Sequence, residues 1–243
     1  MFENKKVIIF DMDGTLLDSV GLWNDTDRYL IETYGQKPAP ALEVIGAERD
    51  KVTGRFRDAD NPYLAYCEYL RRQYGCSISA EKIHAVRYRY AREALIHTVD
   101  YKPQADRFIR LLKKAGLTLA IASATKKANL EIYKKLNRKL LLKAPLETYF
   151  SLIYGREDAL RMKPDPYIYQ RVMRELKVTP EDCLVFEDSL AGVTAAKAAG
   201  IETAVIYDRY ADSDRESING LADFFFPDFS AAIACWEKET GYL

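Results

Sequence analysis

The sequence predicts an α/β fold: a parallel sheet with helices on both faces, interrupted early by a long helical insertion. Short apolar runs of strand length, beginning with Val7-Ile-Ile-Phe10, recur between segments of helical spacing. Strands that alternate with helices of this length imply a parallel sheet covered on both sides. Between about residues 19 and 100 the alternation stops and only helical spacing remains, punctuated at Pro38, Pro40, Asn61-Pro62 and Gly75.

Taken in order, Lys5 to Phe10 reads as a short buried strand that ends at once in Asp11-Met-Asp-Gly-Thr15. After the insertion, a helix over about 104–115 stops at Gly116, and Leu117 to Ala122 reads as a second buried strand. Helices follow near 126–137, 166–176 and 190–199, with strands near 151–154, 183–186 and 203–206. Asp165-Pro166 and Thr179-Pro180 each place an oxygen-bearing cap before a proline that needs no hydrogen-bonded N–H, so each reads as a helix start. The charged stretch from Asp208 to Asn219 reads as a loop.

Composition narrows the function. The chain has 243 residues, 48% of them hydrophobic, enough for one large core or a main core with a satellite domain. Its 36 Lys+Arg balance 36 Asp+Glu, and the pI of about 6.8 argues against a nucleic-acid or anionic-membrane binder. No apolar stretch approaches bilayer length, and the N-terminus lacks the apolar region of a signal peptide. Cys67, Cys76, Cys183 and Cys235 form no C-x-x-C pair, so reduced thiols in a cytoplasmic protein are expected.

In parallel sheets ligands sit beyond the carboxyl ends of the strands, so chemistry is sought there. Asp11 and Asp13 follow the first strand, and one intervening residue on a tight turn lets both point into one pocket. Glu187 and Asp188 follow the strand Cys183–Phe186. Gathering such acids is costly, about 4 kcal/mol for each like pair near 4 Å at an effective dielectric of 20. A hard cation that favours oxygen ligands, such as magnesium, removes that penalty. Ser123 ends another strand, where its hydroxyl and nearby N–H groups suit an anion, and Lys163 supplies a point positive charge. Each feature alone has an ordinary explanation as a turn, a cap or a surface charge; together, each at a strand end, they point to one catalytic site.

Asp11-Met-Asp-Gly-Thr-Leu-Leu-Asp18-Ser19, Ala122-Ser123, Arg161-Met-Lys163-Pro-Asp-Pro and Phe186-Glu-Asp-Ser-Leu-Ala-Gly192 resemble the four ordered motifs of the haloacid dehalogenase-like hydrolase superfamily. The likeness runs from about 6 to 206 and is nearest to the sugar-phosphate phosphatases and the β-phosphoglucomutase-like branch. It implies a Rossmann-like core over 1–18 and 101–243, with an inserted helical cap over 19–100. It also implies a magnesium-dependent phosphatase acting on a small phosphorylated metabolite through an aspartyl-phosphate. Under it, Asp11 is the nucleophile, and Asp13 protonates the leaving alcohol and then activates water. Gly14, Thr15, Ser123, Ala124 and Lys163 bind phosphate. Asp11, Asp188 and the Asp13 carbonyl ligate Mg2+, with Glu187 behind them. The presence of Asp13 favours phosphoryl transfer over carbon–halogen cleavage, because a halide needs no proton.

Substrate choice is open at this level. Thr125 and Lys126 are candidate phosphate or specificity contacts. Gly46-Ala-Glu-Arg49 resembles a loop that holds a distal phosphate in the mutase branch, while an exposed helix-flanking arginine is an equal reading. Trp23 stands where that branch carries a histidine. Arg87, Arg89 and Arg92 either line the site or form the solvated face of a helix, the second being the commoner arrangement. A β-phosphoglucomutase-type isomerase and a non-catalytic binding protein of the same fold remain the alternative functions.

Overall fold

Strand β1 (Val7–Phe10) is buried along its whole length, as a four-residue aliphatic and aromatic run in a parallel sheet must be. It pairs with β2 (Thr118–Ala122) on one side and β4 (Cys183–Glu187) on the other, both parallel. With β3 (Leu152–Tyr154), β5 (Glu202–Ile206) and β6 (Phe224–Phe226), the sheet order is β3-β2-β1-β4-β5-β6. That order reverses between β1 and β4, which opens a crevice beyond their carboxyl ends. The computed structural model describes residues 1–56 and 59–241.

The chain divides into two compact units, Met1–Ser19 with Val99–Leu243, and Val20–Thr98. The second is built from α1 (Gly21–Tyr34), α2 (Leu42–Arg55), α3 (Pro62–Tyr74) and α4 (Ala80–His97). Its start signals are local: the Asn61 side chain accepts from Leu64 N, with Pro62 next to it, and Ser79 accepts from Lys82 N. Gly75, in the left-handed region, ends α3. Leu30, Ile31, Ile45, Tyr66, Leu70 and Ile83 form the apolar centre of this unit.

In the α/β unit the helices are α5 (Ala105–Lys114), α6 (Lys127–Lys135), α7 (Arg138–Lys143), α8 (Leu146–Tyr149), α9 (Tyr167–Leu176), α10 (Leu190–Ala198), α11 (Arg215–Leu221) and α12 (Phe229–Thr240). On one sheet face Val7, Ile9, Ala120 and Val185 pack against Tyr169 and Val172 of α9 and Ala195 and Ala196 of α10. Phe10 and Phe186, on the other face, surround Phe108 of α5 with Phe229 of α12.

Two sequence expectations change. Thr179-Pro180 opens only the one-turn 3-10 helix Pro180–Asp182, because β4 begins at Cys183 and leaves no room for more. The stretch read as a loop after Asp208 is ordered instead, as a 3-10 helix over Arg209–Asp214 followed by α11. Asp208 starts it by accepting from Tyr210 N, and buried Ile218 anchors it to Val193 and Val205. No described helix is long and apolar enough to cross a membrane. The four cysteines are free thiols, and Cys67, Cys76 and Cys183 are buried.

Candidate active site

The crevice at the order reversal collects the acids. Asp11 leaves β1 with its amide still donating to Phe186 O of β4 at 2.9 Å. The chain then turns sharply: Gly14 adopts φ +88°, open to glycine at little cost, and Leu16 N and Leu17 N both donate to Met12 O. This turn aims Asp11 and Asp13 to the same end of the sheet and brings Thr15 under Asp188, whose Oδ1 accepts from Thr15 Oγ1 at 2.7 Å.

Lys163 reaches the crevice from the segment before α9. Its Nζ lies 2.6 Å from Asp11 Oδ1 and 2.6 Å from Glu187 Oε1, and it is almost wholly buried. Glu187 is fully buried, and both its oxygens are occupied by the protein. Oε1 also accepts from Tyr169 OH at 2.8 Å, while Oε2 accepts from Asp188 N at 3.0 Å, Ser189 N at 3.3 Å and Ser189 Oγ at 3.1 Å. Glu187 therefore acts as the fixed anion that holds the lysine. Gly192 makes room for it, since a Cβ there would lie 1.8 Å from Glu187 Oε1.

The electrostatics follow from burial. Desolvation pushes the Asp11 carboxyl up to about 7, with Lys163 drawing it down and Glu187 pushing it further up. Asp188 is raised well above the carboxylate range by burial, then by the charges of Glu187 and Asp11. Burial opposes ionisation of Glu187 too, but Lys163, Tyr169 and the Asp188 amide outweigh it and its pKa falls. Lys163 is lifted well above its ordinary value because Asp11 and Glu187 overcome its desolvation.

Carboxylate oxygens of Asp11, Glu187 and Asp188 lie within 4.8 Å of one another. An oxygen-only set of buried acids, two of them reluctant to ionise, fits a hard divalent cation. With Glu187 spent on Lys163 and main-chain N–H groups, Asp11 and Asp188 are the side chains suited to hold it.

Asp13, half-buried, is held by three hydroxyls. Ser19 Oγ and Tyr133 OH donate to Oδ1, the latter at 3.2 Å, and Thr125 Oγ1 donates to Oδ2. Thr125 belongs to the loop after β2, where buried Ser123 donates its amide to Tyr154 O at 3.0 Å and accepts from Thr125 N at 3.1 Å. Ala124 and Lys126 are exposed in this loop, with Lys126 at the start of α6.

Trp23, Arg49 and the other arginines belong to the helical unit and are described within it. Arg87 is not on a solvated face, as its helix pattern suggested: it is 1% exposed. Its Nε and Nη2 lie 2.6 and 3.2 Å from the two oxygens of fully buried Asp27 on α1, which supplies the counter-charge. Arg49 shares the same carboxylate at 3.1 Å, and Trp23 lies under the Arg87 guanidinium, 4.5 Å from its ring centre. Arg89 and Arg92 are exposed. Sequence reading missed Asp27, Tyr133, Tyr169 and Gly192. Gly192 sat inside a motif already singled out, whereas the other three carried no local signal.

The model of the haloacid dehalogenase-like hydrolases matches residues 5–200. A phosphorylated carbohydrates phosphatase of Thermotoga maritima is 32% identical over 197 residues, which cover 81% of this chain and 82% of that protein. A bifunctional riboflavin kinase/FMN phosphatase of Arabidopsis thaliana is 30% identical over 89% of this chain, but the chain spans only 53% of that longer protein. Among solved structures, a putative β-phosphoglucomutase from Thermotoga maritima superposes with a TM-score of 0.67 at 27% identity, covering 91% of this chain and 94% of that one. The chain belongs to the haloacid dehalogenase-like hydrolase family and, with its phosphatase relatives, to the phosphoric monoester hydrolases.

Proposed function

We propose that the protein is a magnesium-dependent phosphatase that hydrolyses a small phosphorylated metabolite, a sugar phosphate, through an aspartyl-phosphate at Asp11. The observation that carries this reading is the Asp11–Lys163–Glu187 chain of 2.6 Å contacts beside Asp188, at the order reversal of the sheet. A relative that acts on phosphorylated carbohydrates supports the substrate class.

Asp11 attacks phosphorus and the ester bond breaks. Lys163 neutralises the charge that gathers between the carboxylate and the phosphoryl oxygens, and its fixed position means no reorganisation at the moment of reaction. Ser123, with the N–H groups of the loop after β2, and Gly14 and Thr15 of the first turn line the phosphoryl site. Asp13 gives a proton to the leaving oxygen, then takes one from the water that hydrolyses the aspartyl-phosphate. Magnesium, held by Asp11, Asp188 and the Asp13 carbonyl, supplies positive charge against the phosphoryl oxygens when bound. On this reading the unit Val20–Thr98 is the cap, and Trp23, Arg49, Thr125 and Lys126 bear on which metabolite is accepted.

A panel of sugar phosphates and other phosphorylated metabolites, assayed for released phosphate with and without magnesium, tests the proposal. Magnesium-dependent release from at least one sugar phosphate is expected. Release confined to other substrate classes overturns the sugar assignment, and isomerised sugar phosphate forming faster than free phosphate identifies a mutase instead.

A further inference from the structure

Of the three hydroxyl donors to Asp13, Tyr133 is the one that the sequence did not single out. It lies on α6, 120 residues from Asp13 along the chain and 1% exposed, and its phenol reaches Asp13 Oδ1 at 3.2 Å. Ser19 Oγ donates to the same oxygen, and Thr125 Oγ1 to the other. The three donors differ in stiffness. Serine and threonine hydroxyls sit on short side chains and turn readily between donating and accepting, whereas a phenol packed in a core is fixed by its ring. A phenol carries its proton at neutral pH, so the buried Tyr133 hydroxyl is available to Asp13 Oδ1 as a donor.

We infer that Tyr133 is a positioning residue for the proton-transfer step: with Ser19 it saturates Asp13 Oδ1 and so makes Oδ2 the oxygen that carries the proton. The inference rests on the proposed acid–base role of Asp13. In the first half-reaction the bond between phosphorus and the leaving oxygen breaks, its electron pair stays on that oxygen, and the oxygen takes the proton from Asp13 Oδ2. Thr125 is the only one of the three donors on that side, and its hydroxyl turns to accept while Oδ2 is protonated. When Asp13 is a carboxylate again, Thr125 donates and Oδ2 is free to receive the proton of the attacking water. Two donors on one oxygen and one reversible partner on the other fit this alternation.

The test is Tyr133→Phe, which removes one oxygen and keeps the ring. Single-turnover transfer is measured with p-nitrophenyl phosphate, whose leaving group needs little proton assistance, and with glucose 6-phosphate, whose alkoxide needs it. Loss of a hydrogen bond that strengthens as Asp13 becomes a carboxylate predicts a rate roughly 3–10-fold lower on glucose 6-phosphate, with KM unchanged and p-nitrophenyl phosphate nearly unaffected. In an Asp13→Asn background the same substitution should have no further effect, because its route is through Asp13. Equal losses on both substrates, no loss on either, or an undiminished effect in Asp13→Asn overturns the inference. Should Tyr133→Phe fail to fold, Ser19→Ala removes the other Oδ1 donor and must show the same selectivity. If Asp13→Asn alone affects both substrates equally, the acid–base reading of Asp13 falls, and this inference with it.

Discussion

Replacing Glu187 by glutamine puts the electrostatic frame of the site under the most direct strain. The substitution preserves shape but turns one acceptor oxygen into a donor amide. At the Oε1 position that amide faces the Lys163 ammonium and the Tyr169 hydroxyl; at the Oε2 position it faces two N–H groups and the Ser189 hydroxyl. Neither rotamer escapes a buried donor against donors. Removing one partner of a buried ion pair costs about 3–5 kcal/mol. Lys163 retains Asp11 at 2.6 Å, which places the cost near the lower bound, about 3 kcal/mol. For a chain of this size that lowers Tm by roughly 6–12 °C. Acid sensitivity carries a signature as well. Glu187 has a depressed pKa, so its stabilisation is present above the ordinary glutamate range and lost as pH falls below it. Glu187→Gln should lack that part of the acid limb. Urea and thermal unfolding between pH 3 and 8 provide the assay. A variant as stable as the wild type to within about 0.5 kcal/mol, with the same acid limb, refutes the role of Glu187 as the anchor of Lys163.

Other consequences are equally concrete. Gly192→Ala drives a methyl into the Glu187 carboxylate and should cost about 3 kcal/mol along with most of the turnover; wild-type melting and activity would contradict the packing described. Asp27→Ala strands Arg87 in the helical unit and should destabilise it by about 3–5 kcal/mol. With Trp236 replaced by Phe, Trp23 is the sole tryptophan and reports that loss by fluorescence during urea unfolding; an unshifted midpoint rejects it. Asp11, raised to about 7 by burial, must shed its proton before an ion binds, so magnesium affinity should climb as pH rises through 7, with proton release seen by calorimetry in two buffers. The metal-free protein shows the opposite linkage: the stability Asp11 contributes is full below its ordinary 3.8 and lost as pH rises through about 7. Affinity flat from pH 6 to 8 counts against Asp11 as a ligand.

Much of the candidate site was legible because three of its motifs, at Asp11, Ser123 and Asp188, end short apolar strands, and a parallel sheet brings strand ends together without any knowledge of distant contacts. These three could be assigned to one edge on that ground alone; Lys163, which arrives from the segment before α9, was legible only through its motif. The supports were not legible for the converse reason. Asp27 and Arg87 lie 60 residues apart, and the charge-rich pattern of α4 looks solvated until its partner on α1 is seen. Tyr133 and Tyr169 are unremarkable aromatic positions on amphipathic helices, and only tertiary packing turns their hydroxyls towards Asp13 and Glu187. The segment after Asp208 shows the limit of composition: its charges suggest a loop, yet a single capping carboxylate and one buried isoleucine suffice to order it.

The central claim is that Asp11 carries the phosphoryl group. Enzyme mixed with a turnover substrate and magnesium, quenched in acid within milliseconds and digested, allows the peptide bearing Asp11 to be weighed. The account predicts a transient gain of one phosphoryl group on that peptide, located at Asp11, decaying as free phosphate appears and absent in Asp11→Asn. Full phosphate release with no label on Asp11 at any time, or label on another residue, contradicts it.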